Sequence, residues 1–297
     1  MDVTVGITTW NRAALLTQAL AAVAEVRIPE ELDWEVLVCD NNSTDATRAV
    51  VERAAARLPV RYCFEAAQGT SHAQNRLVAE ALGTWLIFID DDIRVEPDWL
   101  EEYVRAIRRY PEAACLGGPI GPWLAQPLRG RARYLLETFP WVYGLLAVPH
   151  DCKVQDGATT LPHGGNMAFR REVLVADGFN TSQGMIGSTR IAGQETDRIR
   201  ALVAQDREVR MLAGPKVSHY IPLERSGLRW FCRWHIGAGR RQRRRRGPLW
   251  RTLVHYGLKM ILNRRRLPYL VLAKVCMLLG WARAKTADTG TSSHLTL

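Results

Sequence analysis

The sequence lacks the short motifs that bind phosphate in the most common nucleotide-dependent proteins. No GxxxxGK[ST] segment occurs, and no GxGxxG follows the first apolar run. Such glycine-rich loops cradle phosphates with their backbone amides, so their absence argues against a P-loop NTPase and against a dinucleotide-binding site. A nucleotide would have to be held in another way.

Cysteine is scarce and never closely paired. The six cysteines, with no CxxC pair among them, are Cys39, Cys63, Cys115, Cys152, Cys232 and Cys276. This spacing argues against a zinc knuckle and against a disulfide framework, and it suits a reducing compartment. The N-terminus reads MDVTVGITTW, without a basic segment followed by an apolar run, so we expect no signal peptide.

Acidic residues are nearly absent from the C-terminal part of the chain. From residue 221 onward the sequence has 17 Lys or Arg and two acids, whereas the whole chain has a formal net charge of +10. The positive charge therefore belongs to this segment, and the preceding part is net acidic. Such a segment attracts phosphate, either in nucleic acid or in lipid headgroups.

Strand-like and helix-like patterns alternate in the first part of the chain. Apolar runs at 3–8, 34–39, 60–64 and 85–89 alternate with helical patterns at 13–24, 44–58 and 71–82. This alternation predicts an α/β domain with a mostly parallel sheet flanked by helices. Residues 115–168, rich in Gly, Pro and aromatics, predict irregular loops, and residues 195–204 predict a helix.

Polar clusters follow three of the predicted strands, at residues 8–12, 40–45 and 90–92. Ligands of open parallel sheets bind beyond the carboxyl ends of the strands, so these clusters are expected to form one site. The first cluster could bind a base and phosphates, and Asp40 in the second can accept hydrogen bonds from a nucleobase or ribose. Helix capping is the alternative use of both clusters.

The third cluster, Asp90, Asp91 and Asp92, directly follows the apolar run WLIFI. Adjacent carboxylates repel one another unless a positive charge compensates them. A divalent cation does so, and Mg²⁺ or Mn²⁺ prefers carboxylate plus phosphate oxygens. An isolated DDD could instead be an acidic helix start. The two neighbouring polar strand ends favour the cation.

In combination and in this order, the segments resemble family 2 glycosyltransferases of the inverting, polysaccharide-building type, which have the GT-A fold. The matching stretches are GITTWNRAALLTQAL, WEVLVCDNNSTDAT, QGTSHAQNRLVAEALGTWLIFIDDD, PDWL, GGNMAFRREV and GQETDRIR. They lie within residues 3–205. Each stretch alone is a weak signal, and their joint occurrence is specific.

The resemblance implies roles for individual residues. Asp40 would contact the base, Asp91 the ribose, and Asp92 would bind a Mn²⁺ or Mg²⁺ that bridges the diphosphate. The other residues expected at the nucleotide sugar are Thr8, Thr9, Asn11, Arg12, Asn42, Asn75 and Asp90. One departure is Gln74, because the family often has Ala-Arg-Asn where this chain has Ala-Gln-Asn.

The stretch Gly-Gln-Glu-Thr-Asp at 193–197 is similar to the family's Gly-Glu-Asp motif, whose acid deprotonates the acceptor hydroxyl. Glu195 then takes the position of the base, with Glu in place of Asp, and Asp197 is the second choice. An inverting transfer needs one such carboxylate opposite the leaving group. A solvated acid at a helix start is the alternative for Glu195.

Three further residues have open interpretations. His219 in KVSHYIP is a candidate metal ligand, since a late histidine completes the metal site in several GT-A enzymes, but a structural histidine is equally consistent. Gly165 and Asn166 are expected on the acceptor side, where glycine permits close backbone approach and Asn hydrogen-bonds in both directions. A structural turn is the alternative for this pair.

The pattern predicts a catalytic domain at residues 1–225 and a basic, apolar helical extension at 226–297. Residues 1–120 would form the nucleotide-sugar half of the domain and 121–225 the acceptor half. The longest apolar run of the extension is about 15 residues, short of the roughly 20 needed to span a bilayer. We therefore expect peripheral attachment to an anionic membrane, on its cytoplasmic face. Packing on the domain or oligomerisation are the alternatives.

The sequence thus predicts an enzyme that transfers a sugar from a nucleotide diphosphate, UDP-linked by analogy, to a saccharide or lipid-linked acceptor. A nucleic-acid-binding protein would use the arginines at 240–246, but acidic strand ends would repel a polyanion. A nucleotidyltransferase would need a glycine-rich basic loop near the N-terminus. A non-catalytic scaffold would not need Asp92 and Glu195.

Overall fold

The computed structural model describes residues 1–186, 189–191, 193–244 and 267–287. The chain divides into two compact units. The sheet unit consists of Met1–Trp123 and Gly144–Tyr220, and the helical unit consists of Leu124–Tyr143 and Ile221–Leu297.

The strands form most of the sheet unit. They are β1 Val3–Thr9, β2 Trp34–Asp40, β3 Val60–Phe64, β4 Trp85–Asp90, β5 Ile93–Val95, β6 Ala113–Gly117, β7 Ile120–Leu124, β8 Cys152–Lys153, β9 Met167–Arg170, β10 Gly184–Ile186, β11 Thr189–Ile191, β12 Glu208–Met211 and β13 Val217–Ile221. The helices are α1 Ala13–Val23, α2 Thr47–Ala54, α3 Thr70–Glu80, α4 Trp99–Arg109, α6 Glu172–Val175 and α7 Gln194–Ala204.

The main sheet has the strand order β3-β2-β1-β4-β9-β6-β12-β8. Strands β3, β2, β1 and β4 are mutually parallel, and β9 is inserted antiparallel between β4 and β6. A smaller sheet has the order β5-β13-β7, and β10 pairs with β11. The predicted α/β architecture with a mostly parallel sheet is confirmed.

The core between the sheet and its helices is apolar and aromatic. Phe88, Phe169 and Phe179 contact one another edge to face, with ring centroids 5.6 to 6.2 Å apart. Leu77 of α3 and Leu37 of β2 are fully buried in the same cluster. Burial of such side chains stabilises by roughly 1.5–3 kcal/mol each, which fixes the strand ends that carry the polar residues.

The helical unit contains α5 Gly130–Thr138, α8 Leu228–Arg244 and α9 Leu267–Ala287, with 3-10 turns at Pro140–Tyr143 and Leu223–Arg225. Phe231 of α8 contacts Phe139 at 5.0 Å and Tyr269 of α9 at 6.4 Å between ring centroids. Further along both helices, a Cβ on Gly239 or on Gly280 would overlap a carbonyl of the other helix. The two helices therefore touch backbone to backbone at these glycines.

No helix within the described ranges combines the length and apolar character needed to cross a bilayer. Pro268 is the second residue of α9, a position where proline is tolerated because its missing N–H would be unpaired anyway. All six cysteines are free.

One local prediction was wrong. Residues 115–168 are not irregular, since they contain β7, α5 and the start of β9. Strand β9 has only four residues, too few for a periodic signal, and its place is set by tertiary contacts. The segment Leu124–Tyr143, assigned from the sequence to the acceptor half, folds with the C-terminal helices.

The helix predicted at 44–58 is also shorter, because α2 spans Thr47–Ala54. Before it, the Asp45 carboxylate accepts hydrogen bonds from the Thr47 amide at 3.0 Å and from its hydroxyl at 2.5 Å. This local pairing holds the chain in a turn and delays the helix start.

Candidate active site

The polar ends of β1, β2 and β4 meet at one edge of the main sheet. Parallel pairing sets Thr9 opposite Asp40 and Thr8 opposite Asp90. The three clusters identified in the sequence are therefore neighbours in space. This is the edge at which open parallel sheets bind ligands.

Arg12 lies between the last two aspartates of the third cluster. Its Nη1 donates to Oδ1 of Asp91 and to Oδ2 of Asp92, both at 2.9 Å. The Thr9 hydroxyl donates to the other Asp91 oxygen at 2.8 Å. Although burial acts in the opposite direction, the charges of Asp91 and Asp92 raise the pKa of Arg12 above its ordinary value. Arg12 thus contacts carboxylates directly in this structure.

Negative charge is concentrated at this edge. Burial, together with the charges of Asp92, Glu195 and Asp91, raises the pKa of Asp90 to about 7. Burial also raises the pKa of Asp91 to about 6, assisted by Asp92 and opposed by Arg12. Carboxylates with raised pKa values in a cleft are typical of sites that receive a cation or a proton.

His219 approaches the same cluster from β13. Its Nε2 lies 3.6 Å from Oδ1 of Asp92, and the neighbouring Tyr220 amide donates to the Asp92 carbonyl at 2.8 Å. The His219 ring also lies close to Gly144, where a Cβ would sit 3.4 Å from Nδ1. Asp92 and His219 thus face each other at a separation too long for a strong hydrogen bond.

This pair fits a divalent cation that also takes oxygens from a substrate. Among the residues that the structure describes, no three His, Cys, Asp or Glu side chains are arranged to hold a metal by themselves. Mg²⁺ and related ions are commonly bound through one or two protein ligands plus substrate phosphates. Asp92 and His219 supply that number of ligands, with the donor types that such ions accept.

Asp40 is buried at the end of β2 and is held on both oxygens. Oδ1 accepts the Ser43 amide at 2.8 Å, and Oδ2 accepts the Tyr62 hydroxyl at 2.9 Å. Burial and the bond to Asp40 raise the pKa of Tyr62 to about 12. The carboxylate is therefore fixed in orientation. Its oxygens each have a second lone pair with which to accept a further donor.

The loops after β1 and β2 are tied together by Asn11. Its side-chain Oδ1 accepts a hydrogen bond from the Thr44 backbone amide at 2.7 Å, and its backbone amide donates to the Ser43 hydroxyl at 2.9 Å. Asn11 and Asn42 both have positive φ, at 51° and 67°. Asn tolerates this left-handed conformation better than most residues, which accounts for its use in both tight turns.

Glu195 lies in the first turn of α7, across from α3. Its Oε1 accepts Nε2 of Gln74 at 3.0 Å and Nε2 of Gln194 at 3.2 Å. Gly164 lies against the same carboxylate, because a Cβ built on Gly164 would overlap Oε1. The next residue, Gly165, lies against Asp90, since its Cβ would be 3.4 Å from Oδ2 of that residue, so Glu195 is close to the strand-end carboxylates.

Asp197 is held separately. Its Oδ2 accepts Nε2 of Gln183 at 2.9 Å, and the Gln183 carbonyl in turn accepts the Ser71 hydroxyl at 2.8 Å. Asp197 therefore connects α7 to the segment before β10 and to α3.

Two of the residues expected at substrates are used inside the protein. Asn75 donates to the Phe179 carbonyl at 2.9 Å and accepts the Phe179 amide at 2.7 Å, so it fixes the segment after α6. Asn166 has no exposed surface. This burial argues against direct substrate bonding by Asn166, whereas for Asn75, which is partly exposed, such bonding stays a prediction.

Asn166 connects four parts of the sheet unit. Oδ1 accepts the Trp99 indole N–H at 3.0 Å and the Tyr103 hydroxyl at 2.9 Å. Nδ2 donates to the carbonyls of Pro119 at 3.0 Å and Pro215 at 2.7 Å. All four hydrogen-bonding positions of the amide are thus occupied by protein groups. Its neighbour Gly165 does face the site, since a Cβ there would lie 3.4 Å from Oδ2 of Asp90.

Sequence reasoning missed the residues that support the acids. Tyr62 occupies an ordinary strand position, and Gly164 was passed over in favour of Gly165. Gln194 carried no signal apart from its place in the motif. Gln74 did carry a signal, because it stands where the family that the sequence resembles often has arginine. Each of these contacts joins distant parts of the chain, which no local pattern encodes.

Comparisons with known proteins agree with this geometry. The model of the family described as Glycosyl transferase family 2 matches residues 4–176. The chain is 25% identical over 251 residues to succinoglycan biosynthesis protein ExoM of Rhizobium meliloti strain 1021, covering 80% of this chain and 73% of that protein.

Two solved structures share the fold. One is mannosyltransferase PcManGT from Pyrobaculum calidifontis in complex with GDP-Man and Mn²⁺, with a TM-score of 0.54 at 21% identity. The match covers 99% of this chain and 76% of the PcManGT chain. S. aureus TarS 1–349 in complex with UDP-GlcNAc has a TM-score of 0.53 at 15% identity and covers 80% and 66%. At these identities the likeness concerns the fold alone, which is GT-A. Since the family model spans more than half of the sequence, the chain belongs to glycosyl transferase family 2.

Proposed function

We propose that this protein is an inverting glycosyltransferase that moves a sugar from a nucleotide diphosphate to a hydroxyl of a saccharide or lipid-linked acceptor. One observation carries the proposal. Adjacent glycines of one turn lie against the two acids: a Cβ on Gly164 would overlap Oε1 of Glu195, and a Cβ on Gly165 would lie 3.4 Å from Oδ2 of Asp90. This proximity supports one site that combines a general base with an acidic edge for the diphosphate.

The nucleotide would lie across the ends of β1, β2 and β4. Asp40, held by Ser43 and Tyr62, would accept donors of the base, and Asp91 would accept a ribose hydroxyl. Thr8, Thr9, Asn11, Arg12 and Asn42 form the surrounding loops. UDP is our choice of nucleotide, supported by the UDP-GlcNAc bound to TarS, and the GDP-Man bound to PcManGT makes GDP the second choice.

Asp92 and His219 would hold a Mn²⁺ or Mg²⁺. PcManGT was solved with Mn²⁺, which supports the choice of metal. When bound there, the cation would neutralise the charge of the leaving diphosphate. Arg12, which now contacts Asp91 and Asp92, adds a fixed positive charge beside the same oxygens.

Glu195 would act as the general base. It takes the proton of the acceptor hydroxyl while that oxygen attacks the anomeric carbon and the carbon–oxygen bond to the diphosphate breaks. Attack from the side opposite the leaving group inverts the anomeric configuration. Gly164 allows the carboxylate to lie close to the turn at residues 163–166, and Gly165 brings that turn against Asp90. Asp197, bound to Gln183, would orient α7 and is the second choice of base.

The donor class can be tested by thermal shift. The protein would be screened against UDP-glucose, UDP-GlcNAc, GDP-mannose and TDP-glucose, each with and without Mn²⁺. We expect one base to raise the melting temperature in the presence of Mn²⁺ only. Asp92→Ala should abolish that shift, since the metal ligand is removed. Asp98→Ala, which removes a partly exposed carboxylate nearby in sequence, serves as the control and should keep it.

Turnover tests the assignment of the base. Glu195→Gln keeps the shape of the side chain and should retain the Mn²⁺-dependent shift while losing transfer. A Glu195→Gln protein with full turnover would show that Glu195 is not the base, and the same experiment on Asp197→Asn would then examine the second choice.

The helical unit supports a membrane partner. It carries 20 Lys or Arg against three acids, whereas the sheet unit has 20 against 27. The described helices of this unit carry exposed arginines, which are Arg131 and Arg133 in α5 and Arg229, Arg233 and Arg240 in α8. The exposed apolar residues of α9, which share one helix face, are Val271, Val275, Leu278 and Leu279. Exposed arginines with apolar side chains are typical of helices at an anionic leaflet.

We therefore propose peripheral attachment to the cytoplasmic face of a membrane that supplies a lipid-linked acceptor. Sedimentation with vesicles of phosphatidylcholine, alone or mixed with phosphatidylglycerol, measures this attachment. Arg233→Glu should weaken binding to the anionic vesicles, and Arg48→Glu, an equal charge change in the sheet unit, should not. Equal binding to both vesicle types would contradict the proposal.

A further inference from the structure

Gln74 is a buried polar residue whose side chain is directed at Glu195. It lies in the middle of α3 and is 2% exposed. Its Nε2 donates to Oε1 of Glu195 at 3.0 Å, although the two residues are 121 positions apart in the chain. Buried amides are almost always hydrogen-bonded. The bond from Gln74 therefore helps to fix the position of the Glu195 carboxylate at the start of α7.

A second amide reaches the same oxygen. Nε2 of Gln194 donates to Oε1 of Glu195 at 3.2 Å and lies 3.5 Å from Oε1 of Gln74. Its own Oε1 accepts the amide of Gly193 at 3.1 Å, so Gln194 is itself fixed at the start of α7. Gln74, Gln194 and Glu195 therefore form a closed group, which we call the amide clamp.

The two donors of the amide clamp, Gln74 and Gln194, are electrically neutral, and this has a chemical consequence. A guanidinium beside a carboxylate favours the ionised form and makes it a weaker base, by about 1–3 pKa units at contact distance. An amide donor also favours the ionised form, but it carries no full charge and therefore lowers the basicity of the carboxylate less than a guanidinium does. Titratable groups on the elements around Glu195 are Asp90 at the end of β4, His163 beside Gly164 and Asp197 in its own helix. None of these stands in the amide clamp.

We propose that Gln74 and Gln194 are positioning residues that hold Glu195 in place while leaving it basic enough to deprotonate an acceptor hydroxyl. This inference rests on the proposed function, because it assigns the clamp to the general base. It also gives a use for the glutamine that replaces the arginine in the Ala-Gln-Asn stretch. A cation at that position would hold the carboxylate equally well and weaken it as a base.

Two substitutions of Gln74 with opposite charge test this. The probe is hydrolysis of the nucleotide sugar selected by the thermal-shift screen, with water as acceptor and release of the nucleotide diphosphate as the readout. Gln74→Arg should move the acidic limb of the kcat–pH profile down by about 1 pH unit or more, and Gln74→Glu should move it up. Both should lower kcat at least tenfold at neutral pH and change the KM for the donor less than twofold.

Glu80→Gln is the matched control for Gln74→Arg. It makes the same change in net charge on the same helix, at a partly exposed residue that pairs with Arg76. We expect its profile to overlay that of the unchanged protein. Gln194→Glu gives a second variant in the clamp and should move the limb in the same direction as Gln74→Glu. Thermal unfolding identifies any variant that has not folded. If a Gln74 variant does not fold, the Gln194 variant provides the test, and the reverse also holds.

The outcomes separate the two ideas. If Glu195→Gln hydrolyses the donor at the full rate, the proposed base is wrong, whatever Gln74 does. If Glu195→Gln is inactive and the limb of Gln74→Arg stays in place or moves in the same direction as the limbs of Gln74→Glu and Gln194→Glu, the amide clamp has only a structural role and the inference is overturned. Opposite displacements of the limb support it.

Discussion

Gly164→Ala offers a direct test of the base, because it adds one methyl group beside Glu195 and changes no charge. The new Cβ would lie 2.8 Å from Cδ of Glu195 and would overlap Oε1. Carbon atoms pack at roughly 3.5–4.0 Å. The carboxylate must therefore move by about 1 Å, since the turn that carries Gly164 is held by Asn166.

A displacement of this size should act on chemistry and spare binding. Misplacing a catalytic group by about 1 Å costs on the order of 100-fold in rate. We therefore expect kcat to fall about 100-fold while the Mn²⁺-dependent thermal shift with the donor is retained. The shift reports on the ends of β1, β2 and β4, which the added methyl group does not touch.

Release of nucleotide diphosphate is the assay, and Gly121→Ala is the control. A Cβ at Gly121 meets nothing closer than the Val217 carbonyl at 3.6 Å, so this variant should keep full turnover. Adding Gly164→Ala to Glu195→Gln should cause no further loss, because the base is already gone. The reasoning is refuted if Gly164→Ala alone turns over at the normal rate, or if it loses the donor-dependent shift as well.

Two further predictions concern the framework of the site. Asn166→Ala should lower the free energy of unfolding by roughly 3 kcal/mol or more in urea titrations, because it leaves the buried Trp99 and Tyr103 donors unpaired at about 1–3 kcal/mol each; an unchanged midpoint would contradict the role of this amide. Burial alone would raise the pKa of Glu35, but bonds from Arg61, Leu82 and Thr4 lower it below its ordinary value of 4.5. Its stabilisation is therefore present above that value and is lost as the pH falls through the lower, folded-state pKa. The difference in unfolding free energy between the unchanged protein and Glu35→Gln should be full near pH 7 and should shrink below about pH 4; a constant difference would show that folding does not lower the pKa of Glu35.

The fold and the acidic edge could be predicted because their signals are local. Each of β1, β2 and β4 is a short apolar run that ends in polar residues, and parallel pairing brings such ends together. The register of Thr9 with Asp40 and of Thr8 with Asp90 follows from strands of similar length starting at the same edge.

The supporting contacts could not be predicted because they join distant segments. Asn166 was expected at the acceptor, yet its partners come from α4 and from the carbonyls of Pro119 and Pro215. Asn75 was expected at the nucleotide, yet it is bound to the backbone of Phe179. A side-chain amide in a motif has the same appearance in the sequence whether its hydrogen bonds go to a ligand or to a buried carbonyl. Only the tertiary structure distinguishes the two.

The division of the chain into two units could be predicted only in part, for the same reason. The basic character from residue 221 onward was evident from composition. That Leu124–Tyr143 joins the same unit depends on contacts such as Phe139 with Phe231, between residues far apart in the chain.

A crystal structure with UDP and Mn²⁺ tests the central claim most directly. We expect the base near the Asp40 carboxylate, the diphosphate beside Asp92 with the ion between Asp92 and His219, and Glu195 on the far side of the position of the sugar. A nucleotide bound away from the ends of β1, β2 and β4, or an ion without Asp92 among its ligands, would contradict the account.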